Sequence, residues 1–166
     1  MEAGQPGARY AAVPRTLCFI THGDDVLLLR GAPDKRLWAD RYNGIGGHVE
    51  SDEDVRSAAL REIAEEAGLP VANLRLRGVV NVRTDPRAAG VMLFIFTAEA
   101  LERAVHSSPE GTPTWVARER IATLDLVDDL PVVLPRVLTM DAGDPPFFAH
   151  YRYDETGRLE IRFAEA

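Results

Sequence analysis

One acidic helical stretch, closed off by glycines at both ends, limits what this chain can become. Upstream lies Gly44-Ile45-Gly46-Gly47, and downstream Gly68 follows Ala67. Ser51 to Ala67 carries the signals of a helix. Ser51 stands as N-cap, Asp52, Glu53 and Asp54 suit the positive end of the helix dipole, and Gly68 is a natural C′ residue. At roughly 100° per residue, Ala59, Leu60, Ile63 and Ala67 fall on one side and face a core. Arg61, Glu62, Glu65 and Glu66 gather on the adjoining side, within an arc of about 140°. Ala58 lies on that same face and offers no bulk against a ligand. Residues three and four apart on a helix have Cβ atoms about 5–6 Å apart, so Glu62 neighbours both Glu65 and Glu66. Three carboxylates this close repel one another, and Arg61 alone cannot balance them. Such a face is either a solvated acidic surface or a site for hard divalent cations, which take clustered carboxylate oxygens.

The glycines upstream favour the second reading, because they let the backbone turn sharply and approach a bound group. They do not form a dinucleotide fingerprint, whose third glycine would fall at Val49. They do not form a Walker loop either, since no Gly-Lys-Ser/Thr follows. Presenting a metal–phosphate cluster remains. Read together, Gly47-x5-Glu53-x7-Arg61-Glu62-Ile63-x-Glu65-Glu66-x-Gly68-Leu69 resembles the full Nudix box. At average residue frequencies its seven fixed positions coincide by chance on the order of once in 10⁸ starting points, so the match is specific.

The resemblance implies an α+β fold, an α/β/α sandwich with a mixed sheet, in which the box is a catalytic loop–helix–loop. It implies that Glu62, Glu65 and Glu66 hold magnesium, with the backbone carbonyl of Gly46 joining them; manganese can stand in its place. Glu53 would act through water or as a structural partner, and Arg61 would hold the glutamates by ion pairing. The cation reverses the local charge, so that pyrophosphate is attracted, and water attacks phosphorus in line with the leaving group. The general base would be a box glutamate such as Glu65, or a distant one. Glu110, in Ser107-Ser108-Pro109-Glu110-Gly111, is the distant candidate, or else an exposed loop acid.

Beyond the box, Tyr42-Asn43-Gly44-Ile45-Gly46-Gly47 resembles the lead found in the MutT-like branch that removes oxidised purine nucleoside triphosphates. There Asn43 would meet a purine edge, since its amide both donates and accepts. Leu126-Val127-Asp128-Asp129 resembles a later stretch whose paired acids read the base; alternatively these acids serve the start of the next helix. Departures from the branch are His48 in place of lysine and Val127 where tryptophan is common. Trp38 would line the pocket or cover the sheet, and Tyr42 is a further aromatic open to a ligand. A nucleotide sugar, ADP-ribose or dinucleoside polyphosphate are alternative substrates, and a non-catalytic nucleotide sensor is the reading from another class; such sensors commonly lose box glutamates, and this chain keeps them.

The remaining sequence frames the site. Thr16–Thr21 and Val26–Leu29 read as strands around the turn at residues 22–25. Leu74–Arg83, Gly90–Ala98 and Thr114–Val116 read as further strands, and Asp129–Met140 as a helix with Pro131 in its first turn and Pro135 as an internal breaker. Phe147–Tyr153 and Leu159–Phe163 read as a C-terminal hairpin. One domain over residues 1–166 is expected, with residues 1–13 loose. The formal net charge of −7 disfavours a nucleic-acid polymer as partner. Cys18 is the only cysteine, so no internal disulfide forms, and it reads as core. With no apolar leader and no run long enough to span a bilayer, a cytoplasmic enzyme of a small nucleotide is expected, with its oligomeric state open.

Overall fold

The computed structural model describes residues 9–165. The order of elements is β1 (Ala12–His22), β2 (Asp25–Gly31), β3 (Tyr42–Asn43), α1 (Val55–Ala67), β4 (Val71–Arg83), β5 (Gly90–Ala100), β6 (Gly111–Ala117), α2 (Leu130–Leu138), β7 (Phe147–Tyr153) and β8 (Leu159–Phe163). A short 3-10 turn, Arg118–Thr123, precedes α2. The strands form one mixed sheet in the order β3-β2-β1-β5-β4-β7-β8, with β6 also paired to β2. β1 runs parallel to β5, and β4 parallel to β7; the hairpin pairs are antiparallel.

The alternation along β1 shows how two layers of helix come to cover one sheet. Leu17 and Phe19 point into a core shared with Leu130, Val133, Leu134 and Val137 of α2. Cys18 and Ile20 point the other way, into a core shared with Ala59, Ile63 and Ala67 of α1. Side chains along a strand alternate between its faces with period two, so each face of β1 meets a different helix. The expected α/β/α sandwich is the fold observed. Phe19, Ile20, Leu27 and Leu28 are fully buried, and burying a side chain of this size contributes about 1.5–3 kcal/mol.

Several boundaries differ from expectation. Ser51 does not cap α1. Asp54 does, accepting from Ser57 N at 2.8 Å, and the helix starts at Val55. Residues 50–53 are instead drawn into a tight turn, in which Glu53 Oε1 accepts from Glu50 N at 2.9 Å. Gly68 does close the helix, with φ of 69° and its N–H directed at the Ile63 and Ala64 carbonyls. β1 begins at Ala12, because Ala12 and Val13 pair with Gly90 and Val91 of β5; these two residues are not loose, and residues 1–8 lie outside the described part. Leu60 is only half-buried and takes no place in the core. Ala58 is fully buried, so it does not stand open to a ligand. Helix α2 continues through Pro135, whose carbonyl accepts from the Thr139 hydroxyl at 3.1 Å. Among the described residues, no helix is long and apolar enough to cross a membrane.

Candidate functional site

The exposed side of α1 faces a trough of about 730 Å³ whose walls include Gly46, Gly47, Arg61, Glu62, Glu65, Glu66 and Glu110. Close packing of backbone against helix explains the glycines. A Cβ on Gly46 would run into the Thr16 carbonyl, and one on Gly47 into the Glu62 carboxylate. Thr16 N donates to Gly47 O at 2.9 Å and Cys18 N to Ile45 O at 2.6 Å, so the glycine loop is laid along β1. Gly46 N in turn donates to Glu66 Oε2 at 3.2 Å.

Arg61 organises the acids. Its guanidinium reaches Glu53 Oε1 at 2.6 Å, Glu62 Oε1 at 3.0 Å, Glu65 Oε2 at 3.2 Å and the His48 carbonyl at 3.1 Å. These bonds hold Glu53 below the usual carboxylate range. Glu66 is different. It is 5 % exposed, and burial together with the Glu62 charge pushes its pKa up to about 8. An acid under such strain is the kind of group a cation relieves. The donor set, carboxylates plus a glycine carbonyl, is the chemistry a hard divalent ion takes. The side chains do not form a ready cage, however: among the described residues no three acid or histidine groups converge around one point. Glu62 and Glu65 point their carboxylates at Arg61 instead.

Glu110 comes from far along the chain yet lies in the same trough, carried by the turn before β6. Lys35 Nζ holds its Oε2 at 2.6 Å, and Ala32 N donates to its carbonyl at 3.2 Å.

Next to the trough opens a smaller, mostly apolar chamber of about 180 Å³. Leu17, Val82, Leu93 and Val127 form its greasy walls, while Asn43, Asp128, Asp129 and Tyr151 supply polar groups. Asn43 Oδ1 accepts from Gly44 N at 2.8 Å, which fixes the amide. Asp128 is bound by Arg41 Nη2 at 3.2 Å and by the Tyr153 hydroxyl at 3.4 Å. Asp129 makes no capping bond to α2. Burial pushes its pKa up to about 6, with the Asp128 charge adding to the shift. The buried Tyr151 hydroxyl faces the Asp129 carboxylate, and burial first, with the Asp129 charge, raises its pKa.

Trough and chamber share Arg15, Trp38 and Gly46, so they are two ends of one cleft. Trp38 is held at φ of 59°, left-handed backbone that a bulky residue seldom adopts. Its loop is closed by Gly31 N donating to Arg41 O at 2.9 Å.

Of the residues singled out in the sequence, the cleft brings together Gly46, Arg61, Glu62, Glu65, Glu66, Glu110, Trp38, Asn43, Asp128 and Asp129, with Glu53 bonded behind Arg61. Tyr42 is the exception. Its side chain packs against the α2-face core and lines no wall of the cleft, because pairing with β2 through Arg30 turns it away. Sequence reasoning missed Arg15, Lys35, Tyr151 and Tyr153. The last two sit on the C-terminal hairpin, brought in by the parallel pairing of β7 with β4. An alternating Tyr151-x-Tyr153 facing one side was the available signal.

A family profile described as the NUDIX domain matches residues 12–137. Over 140 residues the chain is 28 % identical to the oxidized purine nucleoside triphosphate hydrolase of Mus musculus, covering 84 % of this chain and 86 % of that protein. The fold resembles the MutT protein of Bacillus halodurans, with a TM-score of 0.72 at 24 % identity over 91 % of this chain and 97 % of the other. It also resembles the NUDIX domain of Shewanella oneidensis NrtR complexed with ADP ribose, with a TM-score of 0.68 at 14 % identity over 82 % and 92 % of the two chains. A glycine loop laid on β1, an acid-bearing helix pinned by Arg61 and a profile spanning most of the chain agree, and the chain belongs to the Nudix family of hydrolases, which act on pyrophosphate bonds.

Proposed function

We propose that this protein hydrolyses a purine nucleoside triphosphate, in oxidised form by preference, to the monophosphate and pyrophosphate, in the cytoplasm and with magnesium bound at Glu62, Glu65, Glu66 and the Gly46 carbonyl. The observation that carries this reading is the continuity of the cleft: a charged trough and an apolar chamber with hydrogen-bonding groups meet at Arg15, Trp38 and Gly46. A nucleotide has the same two ends. The cation, or manganese in its place, would supply Lewis-acid polarisation of the phosphate and a more acidic water.

The chain's own residues do the rest. Arg61 keeps Glu53, Glu62 and Glu65 in one group despite their mutual repulsion. Glu65, the most exposed of the box acids, takes the proton from the attacking water, with Glu110 across the trough as the other base within reach of the same space. Lys35 and Arg15 offer positive charge to phosphate oxygens. In the chamber, Asn43 Nδ2 donates to the purine edge and Trp38 covers the base. Asp129, with its pKa near 6, shares a proton with the base, and a protonated carboxyl can donate where an ordinary one only accepts. The relative named for oxidised purine triphosphates supports this choice of substrate.

The test is turnover of a panel with magnesium: ordinary and 8-oxidised dGTP, other triphosphates, ADP-ribose, nucleotide sugars and dinucleoside polyphosphates. Monophosphate plus pyrophosphate released fastest from oxidised dGTP, and lost in Glu65→Gln, is the expected result. A faster ADP-ribose or nucleotide sugar removes the purine triphosphate assignment. Tight nucleotide binding without turnover, under magnesium or manganese, makes the chain a sensor.

A further inference from the structure

At the other end of the α2 face, a second cavity of about 140 Å³ opens among β1, β4, β5 and the C-terminal end of α2. Three arginines, Arg75, Arg77 and Arg118, line it against a single carboxylate, Glu99. It is distinct from the catalytic cleft. Leu17 lines the chamber and Thr21 lines this cavity, and four residues of strand amount to about 13 Å.

Arg77 is the informative residue. The register of β4 shifts between Leu76 and Gly78, and irregularities of this kind re-aim a side chain. Arg77 is 5 % exposed, on the wall of a cavity that reaches solvent. Its Nε donates to Thr97 Oγ1 at 2.8 Å and its Nη1 to Asp141 O at 2.8 Å. Both acceptors are neutral. Among the described residues no carboxylate forms an ion pair with it; Glu99 serves Arg75, at 3.8 Å, and Asn73, at 2.8 Å. Arg118 spends one nitrogen on the Leu138 carbonyl, at 3.4 Å. That contact offsets the negative end of the α2 dipole, which would otherwise oppose an anion here. Thr97, having accepted from Arg77, keeps its own hydroxyl hydrogen to donate. The Asp141 and Asp144 carboxylates act on Arg77 without bonding it, and a shielded guanidinium whose direct partners are all neutral is costly until an anion completes it. Guanidinium forks fit phosphate oxygens in pairs. In a chain of net charge −7, the cavity wall carries three arginines to one carboxylate, a local excess of positive charge, with Asp141 and Asp144 outside the wall.

We propose that Arg75, Arg77 and Arg118 form a second, non-catalytic site for a compact phosphate-class oxyanion, either free phosphate or the phosphate group of a larger molecule. The test uses the full-length protein, stripped of metal so that the acidic trough does not hold phosphate. Amide NMR spectra are followed while sodium phosphate, AMP or, at matched ionic strength, sodium chloride is added. Saturable shifts centred on Thr21, Asn73 and Thr97 are expected with phosphate, weakened about tenfold or more by the double variant Arg75→Gln/Arg118→Gln, which removes two charge-assisted contacts. Arg77→Lys keeps the charge, loses the fork and weakens binding too; should it unfold, the double variant decides. Equal binding of AMP assigns the site to a phosphate group on a larger molecule, and binding of phosphate alone to the free ion. Chloride producing the same shifts, a response that never saturates, or unchanged affinity in the double variant overturns the proposal.

Discussion

The trough and the chamber meet in one cleft but are built in opposite ways. The trough draws most of its acids from thirteen residues of one helix, where spacing alone sets the neighbours. The chamber is assembled from β1, β4, β5, the segment before α2 and the C-terminal hairpin, residues as far apart as Leu17 and Leu159. One end concentrates charge and holds it with Arg61; the other is walled mostly by apolar side chains with a few polar groups among them. On the proposed reading, the contrast makes chemistry and selectivity separable, so that each should be open to disturbance without the other.

The hardest blow to that separation is Glu65→Gln. It is expected to lower kcat by about 10²–10⁴-fold, the range for a general base, while nucleotide binding at saturating metal falls far less than turnover. Equal loss of binding and turnover would merge the two ends. Arg61→Gln comes next. With its three carboxylate contacts gone, activity should fall about 10–100-fold, as for other groups that orient metal ligands, and the metal needed for half-maximal rate should rise. A loss in selectivity between oxidised and ordinary dGTP would contradict its assignment to the trough.

Asp129→Asn probes the chamber. The native carboxyl holds its proton up to about pH 6, whereas an unfolded aspartate loses it near 3.9. Between these values the native state binds more protons than the unfolded one, so stability falls as pH rises through that window. The variant should therefore have a higher Tm than wild type at pH 8, by about 3–6 °C for 1–2 kcal/mol, and the gap should close near pH 4. In kinetics KM should rise about tenfold with kcat nearly kept, the signature of lost uniform binding. A Tm difference that is flat with pH would remove Asp129 from this role. The smallest effect is expected from Tyr151→Phe. Its hydroxyl meets at most the Asp129 carboxylate among the described residues, so Tm should change little. If the hydroxyl bonds the base, KM should rise by a few-fold, about 0.5–1.5 kcal/mol. Unchanged KM would leave Tyr151 as wall only.

The same contrast explains what could be read in advance. Glu62, Glu65, Glu66, Arg61 and the flanking glycines were legible because helix geometry converts spacing into proximity, and Gly68 closes the helix as its type suggests. The first turn was misjudged at Ser51, since several capping residues stand in a row and the turn formed by Glu50 and Glu53 settles which one is used. The early start of β1 depends on β5, more than seventy residues away by register. Arg15, Tyr151 and Tyr153 escaped for the same reason: each is placed by strand pairing, whose partners local pattern does not reveal. Tyr42 was misassigned because side chains alternate across a strand, and a shift of one residue reverses the face.

The hairpin β7–β8 lies beyond residues 12–137, the part matched by the family profile, yet it supplies Tyr151, Tyr153 and Leu159 to the chamber. Descendants of such a chain can alter that wall by drift or by exchange of a single peripheral segment, with the hydrolytic apparatus inherited intact. A lineage built this way can try new substrates at little risk to its chemistry, and grafting the hairpin of one relative onto another is the laboratory form of the same experiment.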